Sequence, residues 1–238
     1  MVSPTYQEAA GIEGFVERFA ASRDDFELLI VDDGSPDGTG AIVERLAEAR
    51  PWLHLLSRSG KGGLGSAYRA GFAWALERGY ELIGQIDADG QHPPESLVAL
   101  RARLQAEHAD VLIGSRYVAG GDTGDWPTYR RAMSGVAGWT TRRATGLRQR
   151  DLSGGFKLWR AAALQAIDVA TTNAQGYGFQ IETTMRAHRA GLHIIEEPIS
   201  FGVRMQGESK LSSNVVVEGA RLLVTLRRDP WSPDRPGA

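Results

Sequence analysis

Apolar and polar positions in the first half of the chain follow two alternating periods. Apolar residues at helical spacing predict helices over about residues 8–22, 40–50, 65–78 and 93–107. Short apolar runs between these segments predict strands at 26–31, 53–56, 82–86 and 111–113. Strands that alternate with helices form a parallel sheet with right-handed crossovers, so the pattern predicts an α/β fold.

The second half is less regular, but its apolar segments continue the same fold. They predict helices over about 126–145, 179–189 and 214–227, and strands at 154–159 and 193–201. Because no linker divides the halves, we expect a single domain over 1–228, and a disordered tail over 229–238. Only three residues precede "PTYQE", so the first strand is expected to be a stub unless the chain begins late.

Composition places the chain among soluble globular proteins. Of its 238 residues, 42% are hydrophobic and 24% charged, and the net charge of −2 argues against a nucleic-acid partner. The lack of cysteine excludes disulfides and thiolate metal sites and agrees with a reducing cytoplasm. No apolar run reaches the roughly 18–20 residues of a membrane span, and no signal-peptide pattern is present. We therefore expect a soluble protein, or one that lies on a membrane surface.

Two acidic residues, Asp87 and Asp89, follow the predicted strand at 82–86. In a strand, residues i and i+2 share a face, so both carboxylates would point into one pocket. Ligands bind beyond the carboxyl ends of parallel strands, and oxygen donors suit Mg²⁺ or Mn²⁺, with Gln91 as a further donor. The alternative interpretation is a solvated turn. His92 is assigned to the turn or to a supporting role rather than to the ligands.

Two further motifs also follow predicted strands. Asp32 and Asp33 close a strand, where a carboxylate can accept hydrogen bonds from a nucleotide base; the alternative is a turn with a helix cap at Asp37 or Thr39. The segment 60–65, "GKGGLG", matches a dinucleotide-binding fingerprint but follows a later strand than that fingerprint requires. Its alternative is a glycine loop that lets the backbone approach a ligand or a neighbouring segment.

Basic residues near these motifs indicate a phosphate site. They are Arg116, Arg130, Arg204 and Lys210. Any one of them alone is typical of a solvated surface, whereas their joint presence beside carboxylates predicts a phosphate or diphosphate ligand. The sequence lacks G-x-S-x-G, cysteine and H-E-x-x-H, so nucleophilic hydrolase chemistry has no support.

The helix predicted at 126–145 carries both apolar and basic residues. The apolar ones are Tyr129, Met133, Val136 and Trp139, and the basic ones are Arg130, Arg131, Arg142 and Arg143. Such a helix can lie at a membrane interface. The alternative is an amphipathic helix packed on the core.

Several motifs occur together and in order: "SPTYQE", "VDDGSPDGT", "GKGGLGSAY", "DADGQHPPE", "DLSGGFKLWR", "GYGFQIE" and "GESK". In this combination the chain resembles the family 2 glycosyltransferases, and specifically the dolichol-phosphate (polyprenol-monophosphate) mannosyltransferases. The resemblance implies a type A nucleotide-diphosphosugar transferase fold, with a mixed, mainly parallel sheet flanked by helices. It also implies an inverting transfer of mannose from GDP-mannose to a polyprenyl monophosphate, with Mg²⁺ or Mn²⁺. The alternatives are a relative that uses another nucleotide sugar such as UDP-glucose, a non-catalytic nucleotide-sugar-binding module and, remotely, an oxidoreductase.

The same resemblance assigns the site residues. It implies nucleotide contacts by Pro4, Tyr6, Glu8, Val31 and Asp33, donor contacts by Asp87, Ala88 and Asp89, and metal ligation by Asp87, Asp89 and Gln91. It implies that Arg116, Arg130, Arg204 and Lys210 act on the phosphates and, with Asp89, form the catalytic set. Glu182 is a weaker candidate for the sugar hydroxyls, with a structural role as its alternative.

The chain also departs from this family pattern. Gln7 stands where the family usually has Asn, the first strand is short, and no hydrophobic C-terminal anchor follows. Any membrane contact is therefore expected to be peripheral, on the cytoplasmic face. An acceptor phosphate is already anionic at neutral pH, so the expected catalysis consists of positioning and charge neutralisation, without a strong base.

Overall fold

The computed structural model describes residues 1–202 and 231–233. Its strands are β1 (Val2–Thr5), β2 (Leu28–Asp32), β3 (Leu53–Ser57), β4 (Leu82–Gln85), β5 (Val111–Ser115), β6 (Lys157–Arg160) and β7 (Ile194–Pro198). Its α-helices are α1 (Ile12–Ser22), α2 (Thr39–Ala47), α3 (Leu64–Glu77), α4 (Leu97–Ala106), α5 (Thr128–Thr145), α6 (Ala161–Ala166) and α7 (Tyr177–Arg189).

The described strands form one mixed sheet in the order β3-β2-β1-β4-β6-β5-β7. Strands β1 to β4 are parallel where they pair, and β5 is parallel to β7. Strand β6 lies between β4 and β5 and is antiparallel to both. The predicted mixed, mainly parallel sheet flanked by helices is therefore confirmed. The insertion of β6 was not predicted, because strand order follows from long-range pairing and not from local pattern.

The two larger hydrophobic clusters of the described residues lie one on each face of the sheet, and a third, smaller cluster forms around Leu147 and Met185. In β2, Leu28 and Ile30 face the cluster with α1, α2 and α4, whereas Leu29 and Val31 face the cluster with α3 and α7. Every residue of β2 is buried. A strand covered on both faces reads as a continuous apolar run, which explains why this strand was predictable.

The first strand is short but complete enough to hold the middle of the sheet. Over its four residues, β1 pairs with β2, and Val2 also pairs with Gln85 of β4. Helix α1 begins at Ile12, later than predicted, because the chain first forms a loop in which Gln7 has a φ of 58°. Helix α6 was not predicted, since its six residues are too few to show helical periodicity.

The C-terminal expectations fall partly outside the described residues. The helix predicted at 214–227 lies there entirely. Within the predicted disordered tail, Trp231 is 6% exposed and belongs to the cluster between the sheet and α7. Its ring centroid lies 5.3 Å from the Arg186 guanidinium carbon. At this residue of the predicted tail, the indole is buried against the core.

Candidate active site

The predicted ligand-binding residues meet at the carboxyl edge of the parallel strands. Loops that follow β1, β2 and β3 lie next to one another there, as the hydrogen bonds between them show. The turn after β4 is bonded to α3 through Tyr68 and Asp87. In open α/β sheets this edge is where ligands bind. The site is therefore built from loops anchored on adjacent strands.

Asp87 and Asp89 lie in a turn beyond β4, which ends at Gln85. The prediction that both occupy one face of a strand is therefore wrong, because the strand stops two residues before the first carboxylate. The hydroxyl of Tyr68 donates to Asp87 Oδ1 at 3.0 Å. The main-chain N–H of Gln91 donates to Asp89 Oδ1 at 3.1 Å, which closes the turn. Both aspartates remain partly exposed.

The neighbours of this turn have supporting roles. His92 is 2% exposed, and its Nδ1 accepts the main-chain N–H of Asp87 at 3.0 Å. Burial lowers the pKa of His92 to about 4, so the ring is neutral and can accept this hydrogen bond. Ala88 is buried in the core cluster beneath the turn. Both residues fix the backbone that carries the two carboxylates.

The donor set at this turn fits a hard divalent cation. Asp87, Asp89 and Gln91 offer only oxygen donors apart from the Gln91 amide nitrogen, and oxygen is the ligand type that Mg²⁺ and Mn²⁺ prefer. Residues 1–202 and 231–233 contain no cluster of three or more His, Cys, Asp or Glu side chains that would enclose a metal. A cation held here would thus complete its shell with water and substrate phosphate, as Mg²⁺ typically does.

The glycine loop is held by Asp33. Oxygen Oδ2 of Asp33 accepts the main-chain N–H groups of Gly62 and Gly63, each at 3.0 Å, and Arg58 pairs with Oδ1. A Cβ on Gly65 would lie 2.4 Å from the main-chain oxygen of Ala174. These contacts favour the interpretation of "GKGGLG" as a loop whose backbone packs closely on its neighbours.

The loop after β1 is bonded to the loop after β2. The main-chain N–H groups of Gln7 and Glu8 donate to the hydroxyls of Ser35 and Thr39, both at 3.0 Å. Asp32 accepts the N–H of Ser35, also at 3.0 Å, and so forms a turn. Asp32 therefore stabilises the loop, as the turn interpretation expected.

Asp37 accepts hydrogen bonds just before helix α2 begins. Asp37 Oδ1 accepts the N–H of Thr39 at 3.1 Å, and its Oδ2 accepts the N–H of Ala9 at 3.0 Å. Hydrogen bonds to these main-chain and hydroxyl donors hold the pKa of Asp37 below its ordinary value, although burial acts in the opposite direction. The turn that starts α2 thus also fixes the loop after β1.

The remaining residues assigned to the nucleotide differ in their access to a ligand. Pro4 and Tyr6 are partly exposed, and the Lys61 ammonium lies 4.3 Å from the Tyr6 ring centroid. Val31 is fully buried and packs in the core. Its side chain is therefore not available to a ligand, so the nucleotide contact that the resemblance implies for Val31 would have to come from its main chain.

Arg116 is engaged in a buried ion pair. Its Nε and Nη2 each lie 2.7 Å from a carboxylate oxygen of Asp151, and its main-chain N–H donates to the same carboxylate at 3.1 Å. Although burial raises the pKa of Asp151, its hydrogen bonds and charge interaction with Arg116 bring that pKa below its ordinary value. Both charges are thus neutralised within the protein. In this structure Arg116 stabilises the fold, rather than presenting a free guanidinium to a phosphate.

Arg130 has a different environment. Its guanidinium carbon lies 3.9 Å from the Trp126 ring centroid. Its buried Nε has no hydrogen-bond partner in the part of the chain that the structure describes, and it forms no ion pair there. Nearby, the hydroxyls of Tyr117 and Ser134 lie 2.6 Å apart. An unpartnered cation beside two hydroxyls suits an anionic ligand.

Arg204 and Lys210, the other two predicted phosphate cations, lie outside the described residues. Glu182 is described and has a structural role: it is 3% exposed and accepts N–H groups from Asn173 and Ala174. It also pairs with Arg186 at 2.8 Å. Its carboxylate is therefore occupied by the loop before α7, which supports the structural alternative over contact with a sugar.

Sequence reasoning missed three buried polar residues near the site. They are Tyr68, Asp151 and Lys157. Burial lowers the pKa of Lys157 to about 7, and its Nζ donates to the Gln180 carbonyl and the Thr184 hydroxyl, both at 2.9 Å. Asp151 lies in the quoted motif "DLSGG", but its pairing with Arg116 spans 35 residues and has no local signature.

Helix α5 presents its apolar side chains to the outside. Tyr129, Met133, Val136 and Trp139 are each between 58% and 68% exposed. Only Thr141 in this 18-residue helix is buried. Among the described residues, α5 is therefore not packed on the core, contrary to the core-packed alternative. Across residues 1–202 and 231–233, no helix combines the length and apolarity needed to cross a bilayer.

Comparison with known proteins defines the class to which this fold and site belong. The model of the family described as "Glycosyl transferase family 2" matches residues 1–168. The chain therefore belongs to the family 2 glycosyltransferases and is an enzyme of that class. This membership rules out the oxidoreductase alternative.

Two relatives resemble almost the whole chain. The undecaprenyl-phosphate mannosyltransferase of Micrococcus luteus is 42% identical over 217 residues, which cover 91% of this chain and 88% of the relative. The polyprenol monophosphomannose synthase of Mycolicibacterium smegmatis is 41% identical over 219 residues, which cover 92% and 82%. The resemblance to polyprenol-phosphate mannosyltransferases stated from the sequence is thereby confirmed.

Solved structures share the fold at lower identity. The mannosyltransferase PcManGT of Pyrobaculum calidifontis, in complex with GDP-Man and Mn²⁺, has a TM-score of 0.65 and 20% identity. That comparison covers 98% of this chain, and the chain spans 65% of PcManGT. Glucosyl-3-phosphoglycerate synthase of Mycobacterium tuberculosis, with Mn²⁺, UDP-glucose and phosphoglyceric acid, has a TM-score of 0.69 and 20% identity, with coverages of 97% and 80%. These likenesses confirm the type A glycosyltransferase fold.

Proposed function

We propose that this chain transfers mannose from GDP-mannose to a polyprenyl monophosphate, with inversion at the anomeric carbon. The observation that carries the proposal is that the same chain has an oxygen-rich turn at residues 87–91 and a helix, α5, whose exposed surface is both cationic and apolar. The names of the two relatives, and the GDP-Man bound by PcManGT, support the donor and the acceptor.

The donor half of the site acts by positioning. Asp87, Asp89 and Gln91 would hold Mg²⁺ or Mn²⁺, which supplies positive charge to the diphosphate that leaves. Tyr6, on the loop after β1, would form the nucleotide side together with Pro4 and Glu8. Both Asp33 carboxylate oxygens are occupied by Arg58 and the glycine loop, so Asp33 would act by holding that loop in place. We assign Arg204 and Lys210 to the same diphosphate on the resemblance alone. Because these groups are fixed before the substrate arrives, little reorganisation accompanies the reaction.

The acceptor half of the site binds the lipid phosphate. Arg130, with its unpartnered Nε, is the group we assign to that phosphate. Arg116 supports it indirectly, since its guanidinium carbon lies 5.2 Å from the same Trp126 ring on which Arg130 stacks. A phosphate oxygen forms a bond to the anomeric carbon, and the bond to GDP breaks, with the electron pair leaving on the diphosphate. The acceptor is already an anion, so no side chain needs to remove a proton.

The exposed face of α5 would place this site at a membrane. Apolar side chains next to arginines match the chemistry of an anionic bilayer surface, where each basic residue contributes about 1 kcal/mol. A polyprenyl phosphate has its headgroup at that surface. We therefore propose a peripheral enzyme on the cytoplasmic face of the membrane.

A transfer assay tests the proposal. The full chain is incubated with labelled GDP-mannose, UDP-glucose or UDP-galactose, a short polyprenyl phosphate and either Mg²⁺ or Mn²⁺. Lipid-soluble label from GDP-mannose, lost when EDTA is added, is the expected result. Preferential transfer of label from UDP-glucose would mean that UDP-glucose, and not GDP-mannose, is the donor. Nucleotide binding without any transfer would favour a non-catalytic binding module.

A further inference from the structure

Tyr68 is a buried tyrosine whose hydroxyl reaches the candidate metal site. It lies on α3, is fully buried, and donates to Asp87 Oδ1 at 3.0 Å. Its ring packs against Phe72 and Phe179, with centroids 5.8 Å and 5.6 Å away, and these two rings also contact each other at 6.3 Å. This buried cluster of three rings leaves the phenol little freedom to turn.

A buried amide network fixes the end of β4, two residues before Asp87. Gln85, the last residue of β4, is fully buried. Gln85 Oε1 accepts the Trp159 indole N–H at 2.9 Å, and its Nε2 donates to Gln180 Oε1 at 3.2 Å. These bonds tie β4, which leads into the Asp87 turn, to β6 and α7.

The Asp87 carboxylate also lies close to the main chain at Gly155. A Cβ on Gly155 would lie 3.1 Å from Asp87 Oδ1 and 3.2 Å from Oδ2, and the Asp87 N–H is held by His92. The carboxylate is therefore confined by a fixed donor and by a close main-chain segment. Such support reduces the number of orientations that the carboxylate samples before a ligand binds.

We propose that Tyr68 is a positioning residue that orients the Asp87 carboxylate for the donor and its divalent cation. Tyr68 contacts neither substrate nor cation itself, and acts through Asp87. The inference rests on the proposed function for its kinetic consequence, but not for its consequence for metal affinity. Residues that orient metal ligands typically change metal affinity or activity by about 10–100-fold when they are removed.

The test compares Tyr68→Phe with Tyr80→Phe. Both variants remove one tyrosine hydroxyl that donates to a carboxylate, since Tyr80 bonds Glu27 at the other edge of the sheet. Mn²⁺ affinity is measured by titration calorimetry with and without GDP, and transfer by lipid-soluble label. For Tyr68→Phe we expect the Mn²⁺ Kd to rise about tenfold and kcat/KM for the donor to fall by about the same factor. Tyr80→Phe should change neither.

A double-mutant cycle separates positioning from general stability. If Tyr68 acts through Asp87, Tyr68→Phe should add nothing further to the loss caused by Asp87→Asn. Additive losses would overturn the proposal, and so would an unchanged Mn²⁺ Kd in Tyr68→Phe. A wild-type chain that binds no Mn²⁺ would overturn it as well.

Gly155→Ala adds a Cβ that would lie 3.1 Å from the same carboxylate. This variant keeps the proposal testable if Tyr68→Phe folds poorly. Its added Cβ should also weaken Mn²⁺ binding, and full affinity in this variant would contradict a constrained carboxylate. If wild type binds Mn²⁺ but transfers no mannose, the proposed function fails. The Mn²⁺ titrations then still decide the role of Tyr68.

Discussion

The two regions that we propose bind the donor and the acceptor, here called the donor side and the acceptor side, are built in different ways. On the donor side, the loops after β1, β2 and β3 are joined by hydrogen bonds, and Asp33 alone holds two N–H groups of the glycine loop. On the acceptor side, α5 buries only Thr141 and exposes four large apolar residues. The donor side is thus organised by the chain itself, whereas the acceptor side is organised to be covered by something else.

Charge follows the same division. The carboxylates of the donor side have partners inside the protein, and so does Arg116. In the described part of the chain, by contrast, no carboxylate lies within ion-pair distance of Arg130 or of the other arginines of α5. Substitutions on the two sides should therefore have different effects on catalysis, stability and membrane binding.

Asp89→Asn should nearly abolish transfer while leaving the fold intact. The variant keeps the oxygen that closes the turn but loses the negative charge offered to a cation. We expect kcat to fall about 10³-fold, or about 4 kcal/mol of transition-state stabilisation. The measurement is lipid-soluble label over a Mn²⁺ titration, with melting temperature as the check on folding. Asp125→Asn, at an exposed position, is the control. Undiminished turnover in Asp89→Asn would remove the cation from the mechanism.

Arg116→Ala should destabilise the protein rather than impair acceptor binding selectively. It leaves Asp151 buried without its partner, which typically costs about 3–5 kcal/mol. The melting temperature should fall by roughly 10 °C. The control, Arg103→Ala, removes an exposed ion pair with Glu107 and should lower the melting temperature by less than about 2 °C. If Arg116→Ala were stable and had a raised KM for the acceptor, Arg116 would instead be assigned to binding the acceptor phosphate.

Arg130→Ala should show the opposite behaviour. Stability should change by no more than about 1 kcal/mol, because the residue loses only a partly exposed contact with Trp126. For a short polyprenyl phosphate we expect kcat/KM to fall about 30-fold, about 2 kcal/mol, with the KM for GDP-mannose unchanged. Arg148→Ala, which removes an exposed arginine, is the matched control. Equal losses in both variants would mean that net charge, and not Arg130, binds the acceptor.

Trp139→Ser should weaken membrane binding without changing the chemistry. The side chain is 60% exposed, so its loss leaves the fold intact but removes apolar area from the face of α5. We expect sedimentation with phosphatidylglycerol-containing vesicles to weaken about tenfold, about 1.4 kcal/mol. Transfer to a short acceptor in detergent should be retained. Val98→Ser on α4 removes an exposed apolar residue elsewhere and should bind vesicles as wild type does. Equal losses of vesicle binding in Trp139→Ser and Val98→Ser would show that α5 is not the membrane contact.

The contrast between the two sides also explains what the sequence revealed. Strands such as β2 were predictable because burial on both faces leaves a continuous apolar run, and the acidic motifs stand directly after such runs. The partners of those motifs were not predictable. Tyr68 and Asp87 are 19 residues apart, and Arg116 and Asp151 are 35 apart, so only the folded chain brings them together. Sequence thus located the charged residues, but not which of them are already neutralised.

Gln7→Asn gives the smallest expected effect and tests how far the donor side is organised in advance. Gln7 has a φ of 58°, a left-handed conformation that Asn adopts more readily than Gln. Its N–H already bonds Ser35, so the substitution should leave the loop in place and stabilise the protein by about 0.5 kcal/mol. Thermal unfolding should show a rise of about 1–2 °C. The KM for GDP-mannose should not change, because the residue serves the backbone of the loop. A lower KM without added stability would assign the Asn side chain to the nucleotide instead, and would show that this loop is completed by its ligand rather than by the chain.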